Sequence, residues 1–118
     1  MMVLNGQKGM MAPLSPYERY YADISLASAQ PALDLCQPMA HSAFTSPTTY
    51  CGWEDYGIPC TYVKCLKDQA VGEEFWEKYI KRMRESGVEV GVEELGCGHS
   101  PFWVAPDQLV EVVERVLG

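Results

Sequence analysis

The hydrophobic pattern after residue 59 has the period of a β-strand at two places. Residues 60–66 form a β-rich run in which Lys64 is the only charged residue, as expected for a strand that helices cover on both faces. Residues 88–95 alternate valine with glutamate and glycine, which is typical of a strand with one polar face. The pattern therefore predicts a central-type strand over 60–66 and an outer strand over 88–95.

Apolar residues recur at helical spacing in the segments that follow these two strands. In residues 73–86 they fall on one face, with Gly87 where a C-terminal cap belongs, and we interpret that face as core: Phe75, Trp76, Tyr79, Ile80 and Met83. A last helix is predicted over 106–117, opened by Pro106 at its first position. The order of strand, helix, strand and helix predicts an α/β fold, with a βαβα unit on a parallel sheet.

The first half of the chain has weaker periodicity and is richer in glycine, proline, serine and threonine. Asp23 or Ser25 is a candidate cap for a first helical turn, and Pro31 is a candidate first residue of a second helix. Further aromatic residues indicate an ordered loop region rather than a flexible linker. The expected organisation has three parts: an N-terminal tail over 1–16, a helical and loop region over 17–56, and the C-terminal βαβα unit over 57–118.

Composition limits the functional classes. The chain has 118 residues, 47% of them hydrophobic, five cysteines and a formal net charge of −7. This is the make-up of one globular domain, without the basic patch of a nucleic-acid binder or the roughly 18 apolar residues of a membrane helix. An odd set of unevenly spaced cysteines and a start without signal-peptide features predict a cytoplasmic protein with reduced thiols. Neither a metal nor a cofactor is predicted, because no cysteine and histidine spacing matches a zinc module.

Two polar residues follow the two predicted strands directly. Asp68 comes after strand 60–66, and His99 lies in the glycine-rich loop after strand 88–95. The carboxyl ends of neighbouring parallel strands meet at one sheet edge, where ligands bind in open α/β sheets. A carboxylate beside an imidazole fixes its tautomer, so that the imidazole acts as a general base. The alternative is a turn-capping aspartate and a surface histidine. The other histidine, His41, is expected to have only a packing role.

Four segments of this sequence carry a resemblance to a known family. They are Phe44–Tyr50, Ile58–Val63, Lys67–Val71 and Gly98–Phe102. Together they resemble the C-terminal half of α/β-hydrolases of the methylesterase and hydroxynitrile-lyase branch, especially fungal members, over about residues 17–118. The resemblance implies a partial α/β-hydrolase fold, with Asp68 as the triad acid and His99 as the triad base. It also implies that residues 17–56 form a lid over a pocket for an apolar carbonyl compound, with these aromatic residues in contact with it: Phe44, Tyr50, Trp53, Phe102 and Trp103.

The sequence departs from that family in two respects. Gly72 stands where relatives often have proline, and the sequence has no G-x-S-x-G nucleophile elbow and no oxyanion loop. Without a nucleophile, the Asp–His pair cannot carry out ordinary serine hydrolysis. A two-stranded parallel sheet would also leave strand 60–66 with an unpaired edge. We therefore expect a partner, either a second copy of the chain or a complementary hydrolase half.

Three functional hypotheses remain open from the sequence. The chain is part of a hydrolase-like catalyst, or an acid–base catalyst of cyclase or lyase type that needs no serine. Alternatively, it is a non-catalytic module that binds a small molecule or assembles with a protein. The third hypothesis is a truncated hydrolase remnant.

Overall fold

The computed structural model describes residues 9–118 and the backbone of Met2–Leu4. Its strands are β1 (Met2–Leu4), β2 (Met10–Pro13), β3 (Met39–Ala40), β4 (Cys60–Cys65) and β5 (Val90–Leu95). Its helices are α1 (Pro16–Tyr20), α2 (Leu26–Asp34), α3 (Ser42–Thr45), α4 (Gly52–Tyr56), α5 (Glu73–Glu85), α6 (Pro101–Val104) and α7 (Pro106–Leu117). None of the helices in the described part of the chain is long and apolar enough to cross a membrane.

The C-terminal unit has the predicted order and pairing. Strands β4 and β5 are parallel, in a register that runs from Cys60 opposite Val90 to Cys65 opposite Leu95. Helix α5 connects them, and α6 and α7 follow β5. Both strands and both long helices lie within two residues of their predicted bounds. The α/β fold class and the βαβα unit are therefore confirmed.

Helices cover both faces of the β4–β5 sheet. On one face, α7 contributes Val112, which packs with Cys65 and Leu95 from the two strands. On the other face, side chains of α5 pack against Tyr62 and Val92. Successive residues of a strand point to opposite faces, so each strand supplies both cores. The polar face predicted for strand 88–95 lies under α7, where Arg115 pairs with Glu93 at 2.7 Å.

Helix α5 buries a narrower apolar face than the sequence pattern indicated. Trp76, Ile80 and Met83 are buried, and Ile80 is only 2% exposed. Phe75 and Tyr79, which we also interpreted as core, are 43% and 48% exposed. These two residues lie at the border of the apolar stripe, and the sheet that α5 covers has only two strands in the described part of the chain.

The segment expected to be an N-terminal tail contains strands. β2 pairs antiparallel with β1 and with β3, and Met11 lies opposite Met39. Residue 1 and residues 5–8 of this segment lie outside the described residues. β1 is close to β2 in the chain, but β3 pairs with β2 from beyond α1 and α2, and no local pattern indicates that pairing.

Helix α2 corrects one expectation about Pro31. This proline lies inside α2 instead of opening a second helix. Ser25 is the N-cap, and its Oγ accepts a hydrogen bond of 3.2 Å from the amide of Ser28. Pro31 is tolerated because α2 is short and loses only one backbone hydrogen bond to the missing N–H. Asp23, the other candidate cap, therefore does not cap this helix.

Candidate active site

Asp68 lies in a tight turn at the carboxyl end of β4. The sheet pairing continues past both strands, because Leu66 donates to the carbonyl of Leu95 and Lys67 to that of Cys97. The amide of Asp68 then turns back to the carbonyl of Cys65 at 3.0 Å. The turn directs the aspartate toward the loop after β5, as expected for neighbouring parallel strands.

The Asp68 carboxylate is buried, and both of its oxygens have hydrogen-bond partners. Its Oδ1 accepts hydrogen bonds from the amides of Ala70 at 2.7 Å and Val71 at 2.9 Å. Its side chain is 7% exposed. Hydrogen bonds of this kind restrict the rotation of a carboxylate. The carboxylate is thus held in a single orientation toward its remaining partner.

That partner is His99, whose Nδ1 lies 2.9 Å from Oδ2 and 3.1 Å from Oδ1 of Asp68. The imidazole is partly accessible, with 34% of its side chain exposed. A neutral imidazole that donates Nδ1–H to a carboxylate keeps the Nε2 lone pair for accepting a proton. The two residues predicted from the sequence are therefore brought together in the geometry of a base and its orienting acid.

His99 lines a cavity of about 600 Å³. One wall comes from the segment around α1, and Tyr20 places its ring 5.0 Å from the imidazole, tilted by 37°. The other wall comes from the two loops that follow the parallel strands. The full lining consists of Glu18, Arg19, Tyr20, Ala22, Asp23, Lys67, Gln69, Gly98 and His99. The His99 imidazole thus opens onto a cavity of small-molecule size with polar and charged walls.

Polar contacts join the α1–α2 segment to this edge of the sheet. Oδ2 of Asp23 accepts a hydrogen bond of 2.6 Å from the amide of Gly98. Arg19 donates to the carbonyl of Gln69 at 3.2 Å, and the Trp103 indole donates to the carbonyl of Ser28 at 3.3 Å. Sequence reasoning missed Tyr20 and Asp23 as site residues, because their approach to His99 spans more than 70 positions.

The five aromatic residues predicted to contact substrate do not line the cavity at His99. Tyr50 and Trp53 line a second cavity of about 270 Å³ together with Tyr79 and Arg82. Phe44, Phe102 and Trp103 are between 43% and 63% exposed. The cavity at His99 is instead lined by residues of α1, the loop that follows it and the two loops after the parallel strands. The aromatic residues in the sequence indicate an apolar surface, but they do not indicate which cavity that surface faces.

Two buried cysteine thiols lie on the segments that lead to Asp68 and His99. Cys65 ends β4 and Cys97 follows β5, and both are buried in the core under α7. Burial, followed by the neighbouring Cys97 thiol, raises the pKa of Cys65 to about 12. Burial also raises the pKa of Cys97. Both therefore stay protonated at neutral pH, which makes them poor nucleophiles.

Comparison with known proteins identifies the architecture. The chain matches the crystal structure of polyneuridine aldehyde esterase with a TM-score of 0.71 and 17% sequence identity, over 100% of this chain and 48% of the esterase chain. A histidine-to-alanine mutant of the same esterase matches with the same TM-score, 15% identity, and coverage of 98% and 47%. The fold is that of part of an α/β-hydrolase.

A sequence relative points the same way. Over 78 residues, or 65% of this chain, the sequence is 36% identical to the probable hydrolase R7 of a Phoma species. The matched region is 31% of that protein, so the chain spans less than a third of the relative and about half of the solved esterase. No protein-family model matches the sequence.

Proposed function

We propose that this chain supplies the acid–base part of a hydrolase-type active site, with His99 as the general base and Asp68 as the residue that orients it. The observation that carries the proposal is the 2.9 Å contact between Nδ1 of His99 and Oδ2 of Asp68 at the wall of a 600 Å³ cavity. The α/β-hydrolase relatives support a reaction at an ester or another carbonyl compound. In this reading, residues 17–56 act as a lid.

The chemistry follows from the pair itself. Nε2 of His99 removes a proton from the reacting group, and the Asp68 carboxylate stabilises the imidazolium that forms. In hydrolysis, the proton comes from a nucleophile supplied by residues beyond those in this sequence. In an elimination or cyclisation, it comes from carbon next to a carbonyl, and no serine is needed. The Tyr20 ring lies against the imidazole, with 5.0 Å between the ring centroids.

The polar lining refines the expected substrate. The cavity at His99 is lined by charged side chains of both signs. Lys67 and Arg19 are cationic, and Asp23 and Glu18 are anionic. We infer a carbonyl compound with polar substituents at the reacting end. Its apolar part would lie outside this cavity, toward the exposed aromatic residues.

Proton abstraction by His99 is testable with a substrate that needs only a base. 5-Nitrobenzisoxazole loses its ring C–H proton to the base as its N–O bond breaks, and it yields a coloured cyanophenolate. We expect His99→Ala to lower the rate by about 100-fold and Asp68→Asn by about tenfold or more. His41→Ala is the matched control, because His41 is exposed and does not line the cavity at His99. Equal rates for the original chain and His99→Ala would overturn the proposal.

A second candidate function is non-catalytic binding of a small apolar molecule. It is favoured by the separate cavity of about 270 Å³, in which Tyr50, Trp53 and Tyr79 provide aromatic surface. An apolar dye such as anilinonaphthalene sulfonate should then bind to the original chain and to His99→Ala with equal affinity. Binding that Tyr50→Ala weakens at least tenfold, together with no proton abstraction by His99, would favour this function.

Assembly belongs to the same proposal. Among the described residues, β4 pairs only with β5, so its other edge meets no strand. Unpaired strand edges bind further strands readily. We propose that a second copy of the chain, or a complementary hydrolase part, covers this edge and completes the site.

A further inference from the structure

Asp23 makes a contact that neither its position in the sequence nor the proposed acid–base pair requires. It follows α1 in the lid-like segment, yet its Oδ2 accepts a hydrogen bond of 2.6 Å from the amide of Gly98, which directly precedes His99. Asp23 is 75 positions away from Gly98 in the chain. Asp23 and His99 also line the same cavity. The carboxylate therefore connects the lid-like segment to the loop that carries the base.

Gly98 is the residue type that this contact needs. A Cβ atom at position 98 would lie 2.9 Å from Oδ1 of Asp23 and 3.2 Å from its Cγ. The 2.9 Å distance is shorter than Cβ atoms show, so a larger residue at position 98 would displace the carboxylate. Glycine is thus used here for the close approach of a side chain to the backbone.

The loop around His99 is held from both directions. The carbonyl of Cys97 accepts a hydrogen bond of 3.0 Å from the amide of Lys67, which ties the start of the loop to the sheet. Asp23 then ties the next peptide to the lid-like segment. These two contacts fix the backbone before His99, and the Asp68 carboxylate holds its ring. The imidazole therefore has little freedom to turn away from Asp68.

Asp23 is itself held in place. The Tyr17 hydroxyl donates to the carbonyl of Ile24 at 2.8 Å, which closes the turn that carries Asp23. Ser25 caps α2 immediately afterwards. The Trp103 indole, on the short helix α6 that follows the His99 loop, adds a second link to α2. The carboxylate is therefore presented to Gly98 by an ordered turn.

We propose that Asp23 is a positioning residue, which couples the placement of the lid-like segment to the orientation of His99. When this segment lies over the cavity, the Asp23–Gly98 hydrogen bond holds the His99 loop in its productive position. When the segment moves away, the loop loses this anchor. The inference rests on the proposed function of His99 as the base, but its structural part is measurable without any reaction.

The test uses nuclear magnetic resonance of the full chain with three variants. Asp23→Ala removes the acceptor, Asp23→Asn keeps an acceptor oxygen without the charge, and Glu18→Ala removes a different carboxylate of the same cavity. We expect Asp23→Ala to speed hydrogen exchange of the Gly98 amide at least tenfold and to broaden the Nδ1 proton resonance of His99. Asp23→Asn should restore both signals in large part, and Glu18→Ala should leave both unchanged.

Unchanged Gly98 exchange and an unchanged His99 resonance in Asp23→Ala would overturn the inference. If Asp23→Ala fails to fold, Asp23→Glu replaces it, because one extra methylene moves the carboxylate without removing its charge. The proposed function fails separately, through equal proton abstraction by the original chain and His99→Ala. If both hold, Asp23→Ala lowers that rate and Asp23→Asn recovers most of it.

Discussion

Nδ1 of His99 lies 2.9 Å from Oδ2 of Asp68, and each residue follows one of two neighbouring parallel strands. The strands end at the same sheet edge, and the pairing past Cys65 and Leu95 brings the two loops into contact. This contact holds the imidazole in the orientation that the proposed base needs, but it provides no nucleophile. The consequences for activity, assembly and stability can be measured separately.

The 118-residue chain is expected to have negligible serine-type esterase activity. The sequence has no G-x-S-x-G elbow, and Ser100, although adjacent to His99, is buried and lies outside such a turn. A fluorophosphonate probe should therefore leave the protein unlabelled, as judged by intact mass. Stoichiometric labelling of a serine that His99→Ala abolishes would contradict this prediction.

The chain is expected to form a dimer or larger species in solution. Cys60 and Leu66 donate their amides toward β5, so by strand alternation the amides of Thr61 and Val63 point to the other edge of β4. Light scattering at micromolar concentration should report at least twice the chain mass. Hydrogen exchange at Thr61 and Val63 should then slow as the protein concentration rises, with Tyr62 as the internal control. A monomer in which Thr61 and Val63 exchange as slowly as Tyr62 would contradict the prediction.

Alkaline pH should lower stability through the buried thiols. The pKa of Cys65 is raised by burial to about 12, from 9.0 for an ordinary thiol. Above about pH 9, the unfolded chain releases a proton that the folded chain retains, so the free energy of unfolding falls as pH rises. The slope for one thiol is at most about 1.4 kcal/mol per pH unit. Below pH 9, both states hold the proton and this contribution is constant.

Urea denaturation between about pH 8 and about pH 10.5 measures this effect. Cys65→Ala should lose less stability over that interval than the original chain, because one titrating group has been removed. Cys36→Ala is the matched control, since Cys36 lies outside the two buried clusters. An identical pH dependence in all three proteins would contradict the assignment to Cys65.

Two residues of the same predicted apolar face should differ in their contribution to stability. Ile80 is 2% exposed in the core between α5 and the sheet, whereas Phe75 is 43% exposed. Ile80→Ala should therefore lower the free energy of unfolding by about 2–5 kcal/mol. Phe75→Ala should cost about 1 kcal/mol or less, because much of its ring already contacts water. Equal costs, measured by urea denaturation, would mean that a partner buries Phe75 in solution.

The amino-acid sequence determined the C-terminal architecture and the juxtaposition of Asp68 and His99. The spacing of hydrophobic residues is a local property of the sequence. It therefore indicated strands over residues 60–66 and 88–95 and a helix between them. Parallel strands joined by one helix share an edge, and this geometric rule alone was enough to bring Asp68 and His99 together.

Only the tertiary structure decided what faces that pair. The contact of Asp23 with Gly98, the tilted ring contact of Tyr20 with His99 and the placement of Tyr50 and Trp53 in another cavity all depend on segments from different parts of the chain. The sequence pattern indicates that a side chain is apolar or able to form hydrogen bonds, but its neighbours depend on how the elements pack. Asp23 illustrates the reason. Its carboxylate could cap a helix or bind a distant amide, and the sequence allows both. Because Gly98 lies beside it in space, it binds the Gly98 amide.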